Sequence, residues 1–589
     1  MVKNYAAIFM APGHDMSTTL YDEKSQEFIT VDWEKLSRIK HFDYRMHGSS
    51  TIVKTLMKSL THFVRNEGVL DEASLPDRRL LKQLYIRTAG RGYEKLTEKD
   101  NALWPLAVDD VILNTNHAGS KYRHHKVHCY SSFFNDLNPF SEAVVIANDG
   151  GGDGERGTVA YFNEDDNIEI MEEPNCDFAT VGTYDKFSFA SSHINSGLFI
   201  DFPGKYMGLS GYGIEREWSE ELIEWIVVAM AGSLSDLKKT KYVPEDMKDK
   251  KNVSMQKLIN EGLRNFCKEK GINEGAMWAG FTRSTSQGPD LQPFGFFGQL
   301  DMDMAWCCQQ AFNRATNIIV KKYAKKYSTK NVILTGGAAY NVIANTYVRE
   351  KNPDLNIWVP PNPGDNSLSF GYLWKALTDA GVIPRKKYKQ RTGPIFDEPF
   401  LDKIYRSFDH RYTNKKEIAT MLREGKIFGL MQGNVELGPR ALGNRSILAD
   451  PRHENVSKVL NDKIKKREFW RPFAPVCRLE DAPKWFRAVN SDWTNLEYMS
   501  FVVEVKDSAD LPSITHIDKT ARLQTVTREQ NEFLYDLLTE FDGPLLNTSL
   551  NVGGMPIENR LRSAIEFMHG SPLDGIIYRD ADGHIRLFE

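Results

Sequence analysis

The chain has 589 residues, of which 41% are hydrophobic and 26% are charged, a composition typical of folded proteins and unlike that of disordered or fibrous chains. At roughly 100 to 200 residues per domain, this length predicts two or three domains. The formal net charge of -4 disfavours a polymeric nucleic acid as partner, since the overall field repels polyanions, and therefore favours small-molecule partners.

The six cysteines show no regular spacing, and Cys307 and Cys308 are adjacent on a predicted helix, so we expect no disulfide framework and a reducing compartment. The amino-terminal segment does not have the pattern of a secretory signal. No stretch of the sequence reaches the ~20 apolar residues that a membrane span requires. These features predict a cytoplasmic protein without a membrane partner.

Two hairpins are predicted in the first part of the chain. Short runs of β-forming residues at 5–11, 17–20 and 28–31 indicate the first hairpin, and the runs 143–147 and 158–162 indicate the second. The glycines of the connecting turn, 149–157, permit positive φ and a close approach to a ligand. Taken alone, such a turn is more often a simple hairpin connection than a phosphate cradle.

Further along, two units of strand, loop and helix follow one another. The first has a strand at 332–334, the turn Gly336-Gly337 and a helix at 338–349, and the second a strand at 357–359, a loop and a helix at 367–377. Two such units in series predict parallel α/β structure, and a glycine turn between strand and helix is typical of nucleotide sites.

The domain boundary is predicted within the basic, proline-containing segment 382–398, which lacks a sustained hydrophobic period. It divides the chain into domains 1–385 and 386–589. In the second domain a helix is predicted at 415–423 and a strand at 427–431. The sequence shows no internal repeat.

Four side chains form a candidate metal site. His124 and His128 are four residues apart, so on a helix both imidazoles lie on one face and are able to bind one ion. Histidines at this spacing also occur without a metal, but Asp149 ends a strand and Asp365 lies between a strand and a helix, where α/β sheets place ligands. Two imidazoles and two carboxylates suit iron, zinc or manganese and not a closed structural zinc site.

Arginines and lysines separated by glycine and proline follow the predicted boundary. The run 436–446 contains Arg440, and Lys465 and Arg471 follow it. A solvated basic loop would have a similar charge, but the interleaved Gly, Pro and aromatic residues fix the backbone. Arginine binds phosphate and carboxylate groups through two parallel hydrogen bonds. Together with Arg522 and Ser549, these residues predict a site for a small anion that carries both a phosphate and an amide.

Several of these motifs, in this order, resemble those of the O-carbamoyltransferase family, which includes the nodulation O-carbamoyltransferase and the enzymes that carbamoylate tobramycin, novobiocin and cephamycin antibiotics. The resemblance runs nearly from end to end. The segments that carry it are 13–15, 36–40, the His124 and His128 pair, 149–152, 205–209, 336–341, 361–365, 436–446, 471–475, 520–526, 547–551 and 555–557.

The resemblance implies an α/β chain with an amino-terminal domain of the actin, sugar-kinase and Hsp-type ATPase fold, similar to the threonylcarbamoyl transferase of tRNA modification. It also implies a carboxy-terminal domain similar to YrdC. In such enzymes carbamoyl phosphate is broken down in the carboxy-terminal domain, and ATP adenylates the carbamate to give carbamoyladenylate. The amino-terminal domain then transfers the carbamoyl group to an acceptor hydroxyl. The partners expected by analogy are carbamoyl phosphate, ATP and a small hydroxylated acceptor.

The resemblance also implies a role for individual residues. The carbamoyl-phosphate site would comprise Arg440, Lys465, Arg471, Arg522 and Ser549. The nucleotide would lie near Gly151, Gly336, Gly337 and Asn341, with Mg²⁺ as a candidate companion of ATP. The metal, Fe(II) by analogy, would be held by His124, His128, Asp149 and Asp365. His14 would accept the proton of the acceptor hydroxyl, because imidazole is the side chain whose unperturbed pKa lies near neutrality, and Lys40 would stabilise developing negative charge.

The sequence departs from the family pattern at Cys129-Tyr130-Ser131-Ser132, at 191–197 and at Asn366-Ser367, and none of these departures removes a proposed ligand. They concern the acceptor pocket and the nucleotide contacts. Three alternatives remain open at this point. They are a sugar-kinase-like ATPase, an enzyme that carbamoylates a hydroxymethylated nucleotide or nucleic-acid base, and a catalytically inactive binding protein of the same fold.

Overall fold

The computed structural model describes the following parts of the chain: 4–11, 14–22, 25–32, 34–35, 85–87, 93–95, 110–114, 123–152, 155–172, 184, 202–250, 253, 255–272, 299–392, 401–467, 470–508 and 510–589. Of the predicted catalytic residues, His14 is described for its backbone only, and Lys40 lies outside the described residues. The segments 36–40 and 191–197, which the sequence analysis used, also lie outside them.

The strands of the described residues are β1 (Asn4–Ala11), β2 (His14–Asp22), β3 (Glu27–Asp32), β4 (Tyr85–Arg87), β5 (Tyr93–Lys95), β6 (Asp110–Asn114), β7 (Glu142–Gly152), β8 (Glu155–Asn163), β9 (Ile168–Glu172), β10 (Asn331–Thr335), β11 (Asn356–Trp358), β12 (Gln390–Thr392), β13 (His410–Tyr412), β14 (Phe428–Gln432), β15 (Arg445–Ala449), β16 (Ala474–Arg478), β17 (Phe486–Arg487), β18 (Val503–Val505), β19 (Thr520–Ala521), β20 (Gln524–Val526), β21 (Leu545–Ser549), β22 (Gly575–Arg579) and β23 (Ile585–Phe588).

The α-helices of the same residues are α1 (His124–Phe133), α2 (Phe202–Ser210), α3 (Ser219–Ala231), α4 (Leu234–Lys239), α5 (Glu245–Lys248), α6 (Met255–Glu269), α7 (Gln299–Lys326), α8 (Val342–Lys351), α9 (Leu368–Asp379), α10 (Leu401–Ser407), α11 (Lys415–Arg423), α12 (Asn455–Val459), α13 (Ala482–Trp485), α14 (Glu532–Phe541) and α15 (Leu561–His569). None of the helices described has the length and apolar character needed to cross a membrane.

Two five-stranded sheets form the amino-terminal part. The first has the strand order β12-β3-β2-β1-β6, and the second has the order β11-β10-β7-β8-β9. In each sheet three consecutive antiparallel strands are followed by a parallel neighbour of the first of them, β6 beside β1 and β10 beside β7. The two sheets therefore repeat one topology, although the sequence shows no repeat.

Alternation along β7 explains how its sheet is covered on both faces. Val144 and Ile146 pack with α7 residues such as Ile319, whereas Ala143 and Val145 pack in a second core that contains α1 and α9. A strand that is buried on both faces has a continuous run of apolar residues, and β7 has such a run. Helices α1 and α9 pack against each other between the sheets, α1 beside β7 and β8 and α9 beside β1 and β2.

The carboxy-terminal part is built on a mixed sheet of eight strands in the order β13-β23-β22-β14-β15-β21-β16-β20. Helices α11 and α14 cover one face through apolar side chains that include Ile418, Leu422 and Leu537. The opposite face contributes to a buried cluster that also contains residues of the amino-terminal part, with Ile447 and Ile576 on one side and Val332 on the other. The two parts are therefore joined by a hydrophobic interface.

Polar contacts define this interface further. The side-chain amide of Asn495 accepts a hydrogen bond from the Val359 N–H at 2.7 Å and donates one to the Val359 carbonyl at 3.0 Å. Arg349 donates to the Thr494 carbonyl at 3.1 Å and pairs with Asp492 at 3.2 Å. Because buried polar groups are costly unless they are satisfied, these contacts fix how the two parts meet.

The structure confirms the α/β class and both predicted hairpins, and the repeated topology agrees with the ATPase-like fold that the resemblance implied. The predicted helix 415–423 forms as α11. The helix predicted at 338–349 begins instead with a 3-10 turn at Gly337–Tyr340, and α8 starts at Val342. Strand β12 still pairs with β3 of the first sheet. The boundary between 1–385 and 386–589 stays a prediction.

Candidate active site

Four predicted metal ligands lie together at the ends of α1, β7 and the loop after β11. The two imidazoles, of His124 and His128, project from one face of α1, while Asp149 lies near the end of β7 and Asp365 begins the 3-10 turn that precedes α9. One ligand atom from each of the four lies within 4.8 Å of every other. The structure thus brings residues from distant parts of the sequence into one cluster.

Distances within the cluster are short. Nε2 of His128 is 2.9 Å from Oδ2 of Asp149 and 3.2 Å from Oδ1 of Asp365. Nε2 of His124 is 3.5 Å and 3.4 Å from the same two oxygens, and the two Nε2 atoms are 3.3 Å apart. All four side chains therefore direct their ligand atoms at one point.

The electrostatics of the cluster are those of a buried site with two negative and two basic groups. Burial would lower the pKa of His124, but the nearby carboxylates of Asp365 and Asp149 outweigh it and raise the pKa to about 10. Burial would likewise lower the pKa of His128, but the close carboxylates of Asp149 and Asp365 raise it. Burial would raise the pKa values of the two carboxylates, yet the imidazoles lower both.

A metal ion fits this donor set. Oδ2 of Asp149 and Nδ1 of His128 are buried and have no hydrogen-bond partner within the described residues, although Nε2 of His128 lies close to that oxygen. Such an unsatisfied carboxylate oxygen facing imidazole nitrogens is suited to sharing a cation with them. Two nitrogen and two oxygen donors suit Fe(II), Zn²⁺ or Mn²⁺.

The glycine turn after β10 allows the ligands to meet. Gly336 has φ +82°, and a Cβ there would lie 2.3 Å from the carbonyl oxygen of Asn148. A Cβ at Gly337 would lie 3.0 Å from Oδ1 of Asp149. The turn therefore needs glycine, both for its left-handed backbone and for its close approach to the end of β7.

Four cations gather in the carboxy-terminal part. Arg440 lies in the loop between β14 and β15, Lys465 ends a π-helical turn, Arg471 precedes β16 and Arg522 lies between β19 and β20. Burial lowers the pKa of Arg522, and the charges of neighbouring arginines, Arg440 first among them, lower it further. Within the part of the chain that the structure describes, no carboxylate forms an ion pair with Arg440, Lys465 or Arg522.

Lys465 is held by neutral acceptors. Its ammonium donates to Oδ1 of Asn551 at 2.7 Å, to Oγ of Ser549 at 3.2 Å and to the Ser549 carbonyl. Burial and the charges of Arg467 and Arg471 lower its pKa well below the ordinary value. Concentrated positive charge without a counter-charge is the electrostatic requirement for an anion site.

The arginine-rich motif divides into two roles. Arg440 faces the cavity described below, whereas Arg445 donates to the carbonyls of Gln432 at 2.6 Å and Gly433 at 2.9 Å and closes the base of the loop. Glu436 accepts hydrogen bonds through Oε1 from three backbone N–H groups, those of Leu442, Asn444 and Arg445, at 2.8 to 3.0 Å. The motif is thus a rigid loop and not a solvated basic segment.

One cavity of about 1060 Å³ joins the two clusters. Its wall contains His124, Asp149 and Asp365 of the first cluster, and also residues of the second, namely Arg440, Arg471, Arg522 and Ser549. Pockets of this volume accommodate ligands of drug or nucleotide size.

The remaining predicted site residues take separate positions. Gly337 lines the cavity, and Gly336 forms the adjoining turn. Asn341 caps α8 by accepting from the Ala344 N–H at 3.0 Å, and its amide also exchanges hydrogen bonds with Gln309. Gly151 lies at the end of β7, and His14 begins β2 opposite Ala11.

Sequence reasoning missed several residues of the site. Lys205, Tyr340 and Trp470 line the cavity, and the sequence analysis assigned none of them a role in binding, although Lys205 and Tyr340 belong to segments that it noted and Trp470 to the interleaved aromatics. The guanidinium of Arg440 lies over the ring of Tyr340, 5.7 Å from its centroid, and a cation over an aromatic face is an attractive contact. The interleaved aromatics were the signal for such contacts, but the sequence did not show which ring meets which cation.

The fold and the site define an α/β enzyme with a cluster of cations and a cluster of histidines and aspartates on one cavity. The family model described as Carbamoyltransferase N-terminus matches residues 11–372, and the one described as Carbamoyltransferase C-terminus matches residues 419–581. The chain belongs to the carbamoyltransferase family.

Relatives with assigned names agree. The chain is 28% identical over 478 residues to nodulation protein NolO of Bradyrhizobium diazoefficiens, covering 77% of each chain. It is 31% identical over 252 residues to the 3'-hydroxymethylcephem-O-carbamoyltransferase of Amycolatopsis lactamdurans, covering 42% of this chain and 47% of that one. HypF of T. kodakarensis is 16% identical over 65% of this chain and 49% of that one, but its TM-score of 0.29 carries no argument about fold.

Proposed function

We propose that this chain is an ATP-dependent O-carbamoyltransferase that uses carbamoyl phosphate. Water hydrolyses carbamoyl phosphate to phosphate and carbamate. A carbamate oxygen then attacks the α-phosphorus of ATP, which releases pyrophosphate and forms carbamoyladenylate. The acceptor hydroxyl then attacks the carbamoyl carbon, and AMP leaves. The observation that carries this proposal is the single cavity whose wall contains both the cation cluster and the cluster of histidines and aspartates.

The cation cluster supports the first half of the reaction. Arg440, Arg471 and Arg522 line the cavity, and Lys465 contacts Ser549, which also lines it. In the proposal these residues bind the phosphate of carbamoyl phosphate and offset the negative charge that accumulates as phosphate, carbamate and ATP meet. Ser549 supplies a neutral hydroxyl for the amide part of the substrate.

The amino-terminal part carries the second half in this proposal. His14 takes the proton of the acceptor hydroxyl, Lys40 stabilises the negative oxygen, and the nucleotide lies beside Gly151, Gly336, Gly337 and Asn341. His124, His128, Asp149 and Asp365 would hold the metal, which when bound acts as a Lewis acid toward phosphate oxygens. Mg²⁺ accompanies ATP in the proposal, and Fe(II) is the preferred ion of the cluster.

The name of one relative indicates a chemical class for the acceptor. The cephem enzyme acts, by its name, on a hydroxymethyl group, so a small hydroxylated compound is the acceptor that we propose here. A hydroxymethylated nucleotide carries the same reactive group and is the second candidate. Mass spectrometry of hydroxylated sugars, antibiotics and nucleotides incubated with enzyme, ATP and carbamoyl phosphate distinguishes them by a carbamoyl mass increment.

The decisive experiment is product analysis of the purified chain with ATP and carbamoyl phosphate. Pyrophosphate and AMP are expected, and their release must depend on carbamoyl phosphate. Release of ADP in their place would reject the proposal and favour a sugar-kinase-like ATPase. No nucleotide turnover with any donor would favour a binding protein. His14→Ala and Lys40→Ala are expected to retain pyrophosphate release and lose carbamoyl transfer.

A further inference from the structure

Lys35 is a buried lysine that no part of the proposed reaction uses. It lies three residues beyond the end of β3, and 1% of its surface is exposed. Its ammonium donates to the carbonyl of Gly438 at 2.7 Å and to the carbonyl of Glu436, about four hundred residues further along the chain. It also lies 3.6 Å from Oδ2 of Asp32.

The two carbonyls accept hydrogen bonds from the ammonium, and the Asp32 carboxylate supplies a nearby opposite charge. A lysine ammonium is a compact, strongly hydrated charge, so its burial is costly unless the acceptors around it are well placed. Here both hydrogen-bond acceptors are backbone carbonyls of a loop in the other part of the protein. The contact therefore constrains the position of that loop and not only the position of Lys35.

The loop that Lys35 contacts carries Arg440. Glu436 is fixed at its carboxylate by three N–H groups of the same loop and at its carbonyl by Lys35. Gly438 has φ +82°, and a Cβ there would lie 2.8 Å from Oδ1 of Asn362. The chain therefore turns sharply between the two carbonyls that Lys35 binds and the arginine two residues further on.

The other partner of Lys35 connects to the loop of the metal cluster. Asp32 accepts through Oδ2 a hydrogen bond from Asn366 at 3.0 Å, and Asn366 directly follows Asp365. Asp32 and Asn366 are both buried. A continuous set of buried polar contacts thus runs from the residue beside Asp365, through Asp32 and Lys35, to the loop of Arg440.

From this geometry we infer that Lys35 is a positioning residue for the donor site, which holds the Glu436–Gly438 backbone so that Arg440 enters the cavity. This inference rests on the proposed function for the identity of the donor. Its consequence is that a residue of the amino-terminal part controls a reaction assigned to the carboxy-terminal part. Displacement of a positioned group by even 1 Å costs about a hundredfold in rate in unfavourable cases.

Substitution of Lys35 tests the inference, with Arg349 as the matched control. Arg349 is also a buried cation of the amino-terminal part. It donates across the interface to the Thr494 carbonyl and within its own part to the Ile357 carbonyl, and the Arg440 loop is not among these partners. The binding of inorganic phosphate, followed by titration calorimetry on the full chain, is the first readout. The KM for carbamoyl phosphate in pyrophosphate release is the second.

Lys35→Met is expected to raise the dissociation constant of phosphate and the KM for carbamoyl phosphate by about tenfold or more, and Lys35→Arg to restore part of the loss. Arg349→Met is expected to lower thermal stability while both constants stay near those of the unsubstituted chain. Unchanged constants in Lys35→Met, or equal increases in Lys35→Met and Arg349→Met, would overturn the inference.

The phosphate titration also separates this inference from the proposed function. If the unsubstituted chain binds phosphate but releases no pyrophosphate, the proposed function fails while the role of Lys35 in the anion site is still measured. If Lys35→Met does not fold, the dissociation constant of phosphate for Lys35→Arg tests the inference. A longer and planar cation that misplaces the loop is expected to give an intermediate dissociation constant, and an Arg variant indistinguishable from the unsubstituted chain would contradict a positioning role.

Discussion

Nε2 of His128 lies 2.9 Å from Oδ2 of Asp149, although that oxygen has no hydrogen-bond partner within the described residues. The two atoms are close, but their arrangement does not meet the geometry of a hydrogen bond. A shared metal ion would resolve this arrangement, because both atoms would then be ligands of the ion.

Loss of His128 is therefore expected to lower bound metal. His125 is the matched control, because it is the neighbouring buried histidine on α1 and both of its ring nitrogens lack hydrogen-bond partners within the described residues. In metal analysis by mass spectrometry, His128→Leu should fall to a small fraction of the unsubstituted content, and His125→Leu should keep it. Equal metal content in His128→Leu and the unsubstituted chain would rule out this ligand set.

Substitution of Arg522 is expected to raise the stability of the protein and to abolish its activity. This buried guanidinium is surrounded by other cations, so Arg522→Met relieves an uncompensated charge and is expected to raise the free energy of unfolding by about 1 kcal/mol. The same change should abolish pyrophosphate release. Denaturant unfolding and product analysis measure the two effects.

The control for Arg522→Met is Arg452→Met in the same arginine-rich region. Arg452 pairs with the buried carboxylate of Asp450 at 2.6 Å, so its loss leaves that carboxylate unpaired and should lower stability while activity persists. A destabilised but active Arg522→Met variant would show that Arg522 has a structural role instead.

Binding of phosphate should take up protons at alkaline pH. Burial and the charges of Arg467 and Arg471 lower the pKa of Lys465 well below 10.5, so above that lowered pKa the free site holds a neutral amine. A bound phosphate favours the ammonium and raises the pKa again, so a proton enters with the anion. Calorimetry of phosphate binding in buffers with different ionisation enthalpies measures this uptake, and in Lys465→Met it should disappear.

The same lowered pKa has a consequence for the stability of the free protein. The unfolded chain keeps the lysine protonated up to about 10.5, whereas the folded chain releases the proton at lower pH. Between these two values the unfolded state binds more protons, so the contribution of Lys465 to stability increases as the pH rises through this window. If the free energy of unfolding changes with pH in this window by the same amount in Lys465→Met and in the unsubstituted chain, the lowered pKa does not belong to Lys465.

A methyl group at Gly336 should damage the metal cluster. Gly336→Ala meets the Asn148 carbonyl at 2.3 Å in addition to its unfavourable φ of +82°, and it displaces the end of β7 that carries Asp149. Gly381→Ala has a similar φ of +69° but open space around the Cβ, so it should cost only the ~1–2 kcal/mol of the left-handed backbone. Metal content should fall in Gly336→Ala and not in Gly381→Ala. Equal metal content in the two variants would show that the turn does not shape the metal cluster.

Much of the local structure followed from the sequence. The apolar runs of β7 and β10, the helix α11 and the histidine pair on α1 depend on residues near one another in the chain, so periodicity and spacing predicted them. Gly336 and Gly337 also predicted a tight turn, because that property resides in the residue type.

The different roles of the motif residues could be assigned only from the tertiary structure. Arg440 and Arg445 are five residues apart and chemically identical, but Arg440 enters the cavity while Arg445 binds the carbonyls of Gln432 and Gly433. The side-chain amide of Asn341 caps α8 and pairs with Gln309, and its position near the nucleotide stays a prediction. Neither outcome is visible in residue type or spacing, because each depends on which distant groups the folded chain brings near.

By itself, the sequence determined which chemical groups this protein has available: two imidazoles, two carboxylates and a set of arginines on a rigid loop. The tertiary structure decided which of them share a cavity, and it revealed the repeated sheet topology and the contact of Lys35 with the Arg440 loop. The physical reason is that side-chain chemistry is a local property, whereas burial, proximity and counter-charge arise only when segments hundreds of residues apart pack together.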